Sequence, residues 1–93
     1  MTEKERTFIF QKEGGGGEER INIEIEKTVK DLIDKYLNGK NLEGEENDFA
    51  FMVGANALKK NTFINKQIKH IRFLRPNTVI KVREINTKMG GRF

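Results

Sequence analysis

Residues 20–39 read RINIEIEKTVKDLIDKYLNG, and the hydrophobic period changes inside this stretch. From Arg20 to Glu26 apolar and polar residues alternate strictly, which puts Ile21, Ile23 and Ile25 on one face of a half-buried strand. From Thr28 onward Val29, Leu32, Ile33, Tyr36 and Leu37 fall at i, i+3, i+4, i+7 and i+8, the stripe of an amphipathic helix. Thr28 with Asp31 three residues on forms a capping pair, and Asn38-Gly39 supplies a left-handed stop. A strand therefore hands over to a short helix.

Upstream, Thr7-Phe8-Ile9-Phe10-Gln11 is aromatic and β-branched and reads as a strand. Gly14 to Gly17, flanked by Lys12, Glu13, Glu18 and Glu19, form a permissive hairpin loop between the two strands. Downstream, a polar stretch from Lys40 to Asn47 leads to Asp48-Phe49-Ala50-Phe51-Met52-Val53, a third strand with Phe49 and Phe51 facing inward. Gly54 ends it, and Leu58 starts the next short element. Thr62 to Ile68 reads as a turn or short helix anchored by Phe63 and Ile68. A basic loop, Lys69 to Pro76, precedes the last strand, Thr78 to Arg83, whose inward pair is Ile80 and Val82.

The bulk numbers set the scale. Ninety-three residues make one domain with one small core, and 35% apolar against 34% charged residues suits a heavily solvated surface. The expected division is a flexible N-terminus over 1–6, the domain over 7–85, and a flexible tail over 86–93. No apolar run approaches the ~20 residues a membrane helix needs. The absence of cysteine removes disulfides and thiolate chemistry and points to an intracellular, cytoplasmic location. No spacing suggests a metal site, a phosphate loop or a catalytic set; His70, the one histidine, reads as a surface residue. The sequence thus predicts neither an enzyme nor a cofactor.

A hairpin, a crossing helix, a strand, a short element and a final strand ask for an α+β domain. The expected architecture is a mixed sheet of four to five strands with one main helix packed on one face. At this point the chain resembles the ubiquitin-like proteins and their β-grasp. The resemblance runs over roughly 7–85 by element order and apolar spacing. Phe51 to Leu58 is similar to the family's strand, tight turn and buried leucine, with Gly54 at the left-handed turn position. Asn61-Thr62-Phe63 and Ile68 keep the family's next spacing. Gly90-Gly91 after the final strand is the family's best-known mark.

The resemblance implies a chemistry for the tail. A ubiquitin-like modifier ends in Gly-Gly so that an extended backbone can enter the activating enzyme's narrow channel. Its carboxylate is there adenylated, and later forms an isopeptide bond with a lysine amine. Gly90 and Gly91 are then the conjugation residues, and Arg92-Phe93 looks like the extension a protease removes. The implied partners are activating and conjugating enzymes, a processing protease and ubiquitin-like receptors, met by a monomer away from any membrane.

The recognition face implied by the family centres on Met52. If Ile80 and Val82 point inward, Lys81 and Arg83 point outward beside it, where ubiquitin carries a histidine and a valine. A methionine with two cations would select receptors with acidic surfaces; a plain solvated face is the other reading. The common chain-forming lysine aligns with Asn56, with Lys59 and Lys60 close by. Arg72, Phe73 and Leu74 are a candidate secondary docking loop, the alternative being that Ile71, Phe73 and Leu74 fold down onto the core. The rival function is a non-conjugated ubiquitin-like module serving as a subunit or adaptor. Nucleic acid, contacted by Lys81, Arg83, Lys88, Arg92 and the basic loop, ranks below protein partners because the net charge is only +4.

Overall fold

The computed structural model of the chain describes residues 3–15, 17–38 and 48–85. Five strands form one sheet: β1 (Glu5–Lys12), β2 (Glu18–Glu24), β3 (Asp48–Val53), β4 (Asn56–Ala57) and β5 (Val79–Ile85), in the order β2-β1-β5-β3-β4. β1 pairs antiparallel with β2 and parallel with β5, while β3 pairs antiparallel with β5 and β4. The sheet is mixed because the helix carries the chain over its face before β3 and β5 form. That helix is α1 (Val29–Asn38); α2 (Asn61–Ile64) and a single 3₁₀ turn (Ile68–His70) lie in the connection before β5.

The period change at Thr28 is realised as an N-cap. The Asp31 backbone N–H donates to the Thr28 hydroxyl at 3.2 Å, and the Thr28 N–H donates back to the Asp31 carboxylate at 3.1 Å. Two amide donors at the helix start are satisfied reciprocally, so the helix begins sharply. Its stripe of Val29, Leu32, Ile33 and Tyr36 is buried against the sheet.

Register decides what the stripe meets. Phe8 lies opposite Ile21, Phe10 beside Ile80, and Phe51 opposite Val82, so all six point to the helix side. Phe10 stacks on Tyr36 with ring centroids 4.3 Å apart, and both meet Phe51 edge-on at 6.0 and 5.9 Å. Each fully buried ring of this kind contributes about 1.5–3 kcal/mol from water exclusion. Among the described residues no charged side chain is buried, and the buried set is apolar but for the Tyr36 phenol.

Several expectations shift. β1 begins at Glu5, two positions before Thr7, because Glu5 and Arg6 still pair with Glu24 and Ile23. β2 stops at Glu24, and Ile25 is half-buried in the turn that launches α1, its N–H held by the Lys4 carbonyl at 3.0 Å. Phe49 is half-buried and leans on Phe51 at 6.5 Å. Leu58 does not start a new element: it follows β4, wholly buried, with its N–H on the Phe51 carbonyl at 2.8 Å. Gly54 occupies the left-handed φ of +61° that the β3–β4 turn demands, a region costly for most L-residues.

The basic loop needs the largest correction. Ile71 and Leu74, at 5% and 0% exposure, belong to the core, so Leu74 is no docking residue. The chain turns there by a series of short bonds, Ile71 N–H to Ile68 and Leu74 N–H to Ile71, both 3.1 Å. Arg6 of β1 closes over it, donating from its guanidinium to the Leu74 carbonyl. A loop of irregular backbone is tolerated here because its amides find partners and its aliphatic side chains find the core.

Candidate functional site

The sheet face away from α1 carries the residues singled out around Met52. Alternation fixes this: with Ile80 and Val82 wholly buried, Lys81 and Arg83 are exposed on the opposite face. Met52 lies directly opposite Lys81 across β3 and β5, and Ala50 lies opposite Arg83. Met52 itself is half-buried, with Ala57 of β4 on its other side. The three residues predicted as a patch are therefore brought together.

Their cations are already engaged. Lys81 donates to the Gln11 side-chain oxygen, and Gln11 in turn donates from its amide to Glu18 at 2.9 Å. Arg83 donates from Nε to the Glu13 carboxylate at 3.0 Å. That hydrogen bond, and then the Glu13 charge, push the Arg83 guanidinium's pKa up. A polar row thus runs Glu18–Gln11–Lys81 across three adjacent strands and ends at Met52 on the fourth. A receptor with an acidic surface must compete with Glu13 and Gln11 for these two cations, which lowers the gain from complementarity.

Sequence reasoning missed Gln11, Glu13 and Glu18 as parts of this face. Gln11 and Glu13 lie 70 positions from the cations they hold, and no local signal pairs β1 with β5 in parallel. The same face continues through Ile9, set beside Val79, which at 39% is the exposed large apolar side chain among the described residues.

The other residues of interest are spread over the rest of the surface. Asn56 is half-buried in β4. Lys59 donates from Nζ to the Phe49 carbonyl at 3.0 Å and sits 6.0 Å from the Phe51 ring centroid, whereas Lys60 is exposed. Arg72 is exposed and Phe73 half-buried against Phe63. His70 is exposed at the end of the 3₁₀ turn. Gly90, Gly91, Arg92 and Phe93, together with Lys88, lie outside the described residues. Among those described, no helix is long and apolar enough to cross a membrane.

No family model matches the chain, and no curated protein matches it. Fourteen solved chains do match. One, from a structure described as molecular mimicry of SUMO promoting DNA repair, superposes with a TM-score of 0.67 over 88% of this chain and 94% of that one, at 21% identity. The likeness agrees with the strand order and the single long helix found above. The fold is a ubiquitin-like β-grasp.

Proposed function

We propose that this protein is a ubiquitin-like modifier made as a precursor, cleaved after Gly91 and joined through the Gly91 carboxylate to amines of target proteins. One observation carries the reading. β5, the final strand of a β-grasp, ends at Ile85, and Gly90-Gly91 follow in the sequence after only residues 86–89. An adenylated carboxylate must reach an enzyme's active site on a backbone without side chains, and glycine alone provides one. The SUMO mimic to which the chain is similar supports the same frame at the level of fold. Receptors then read the face around Met52, Lys81 and Arg83.

The test is an intact-mass measurement on the N-terminally tagged full chain expressed in its source cells. The expected result is a form ending at Gly91, with heavier tagged adducts that disappear in Gly91→Ala. A single species that keeps Arg92 and Phe93 and forms no adducts overturns the proposal, and leaves a non-conjugated ubiquitin-like binding module.

A further inference from the structure

The two outward cations of β5 are held in partnerships, whereas four of the six on the connection between β4 and β5 are not. Between Asp48 and Ile85 the chain carries eight Lys and Arg residues against two carboxylates, Asp48 and Glu84. Lys81, Arg83 and Lys59 are bound as described, and Lys69 lies 3.9 Å from Glu26. The other four, Lys60, Lys66, Arg72 and Arg75, are exposed, and among the described residues their side chains make no ion pair or hydrogen bond.

These four bracket two aromatic rings. Lys60 and Lys66 flank Phe63, whose N–H donates to the Lys60 carbonyl and whose carbonyl accepts from the Lys66 N–H, both at 2.9 Å. Arg72 and Arg75 flank Phe73. The two rings meet edge to face at 5.2 Å, and each stays only half-buried. Their contact fixes the two basic stretches against each other, and Ile68, Ile71 and Leu74 root the connection in the core. Four exposed cations without partners, set in sequence on either side of two contacting rings, leave positive charge that an anion can neutralise.

We infer that this connection binds single-stranded nucleic acid, with phosphates on Lys60, Lys66, Arg72 and Arg75 and a base packed on the Phe63–Phe73 pair. Guanidinium forks match phosphate geometry, and aromatic rings set among cations accept bases of any sequence. An acidic peptide would satisfy the cations but leave the ring surface without a use. The inference is independent of conjugation, since it rests on described residues and uses none of the tail.

Fluorescence anisotropy of a labelled, mixed-sequence single-stranded RNA of about twelve nucleotides, titrated with the full chain, tests it. If four phosphates are neutralised, affinity falls about fifty-fold between about 50 mM and about 200 mM salt. Lys66→Glu with Arg72→Glu is expected to weaken binding by more than about tenfold, since it reverses two phosphate contacts. Lys81→Ala with Arg83→Ala is expected to change it by less than about twofold, because those cations are already held. Phe63→Leu, checked for folding by its thermal melt, keeps an apolar side chain but removes the ring, and is expected to weaken binding about fivefold. Absence of RNA binding, or an equal loss in the Lys81 and Arg83 variant, overturns the inference. So does a polyglutamate peptide of equal length that competes equally and is indifferent to Phe63→Leu, which would assign the surface to an acidic protein segment.

Discussion

On β5, Ile80 and Val82 are wholly buried, while Lys81 and Arg83 stand in solvent on the other face. On β1 the same alternation sets Phe8 and Phe10 against the helix and Gln11 against Lys81. The inner face is held by area removed from water, which is indifferent to partner identity but intolerant of lost volume. The outer face is held by hydrogen bonds and charge pairs that water can replace. One strand thus carries two sets of residues with very different consequences for substitution.

The largest effect is expected on the inner face. Phe10→Ala removes a ring that stacks on Tyr36 and meets Phe51, and should cost about 3–5 kcal/mol in denaturant unfolding. A loss below about 1 kcal/mol would mean that the aromatic cluster is not the centre of stability. Leu74→Ala sharpens the contrast within the basic connection. Its burial predicts a cost of about 2–5 kcal/mol, whereas a docking residue would leave the unfolding midpoint where it is.

Thr28→Ala tests the junction between β2 and α1. It removes the hydroxyl that caps α1 and should cost about 1 kcal/mol, read from the same unfolding curves. The cap also has a pH signature. The hydrogen bond from the Thr28 N–H, with help from its hydroxyl and nearby lysines, holds the Asp31 carboxyl below the ordinary aspartate value. A folded pKa that is depressed contributes stability above the unfolded pKa, and this is lost as pH falls through the folded one. Wild type should therefore lose stability on acidification below the ordinary aspartate range more steeply than Asp31→Asn. Asp31 is exposed, so screening keeps the difference small. An identical acid limb in the two proteins would remove the carboxylate from the cap. Smallest of all, Lys81→Ala is expected to change stability by no more than about 0.5 kcal/mol, because water replaces its bond to Gln11.

Part of this architecture is legible in the order of amino acids alone. The alternation of Ile21 and Ile23, the helical stripe from Val29 to Tyr36, the Thr28–Asp31 cap and the Gly54 turn are local patterns, each spanning a few residues. Backbone geometry reads such patterns directly as period, cap or left-handed turn. Their order is enough to propose the β-grasp, and the inward pair Ile80 and Val82 places Met52, Lys81 and Arg83 on the outer face.

The fate of the segment from Lys69 to Pro76 is not legible in the same way. Ile71, Phe73 and Leu74 have no period that separates a docking loop from a covering of the core. Only the space left beside Ile68 and Arg6 selects burial for Ile71 and Leu74. The engagement of Lys81 by Gln11 and of Arg83 by Glu13 likewise arises from the parallel pairing of β1 with β5, a contact between the two ends of the domain. Sequence determined the elements and their faces because secondary structure and amphipathicity are short-range properties. Tertiary structure decided which cations remain unpaired, because charge partnership depends on distance in space rather than along the chain.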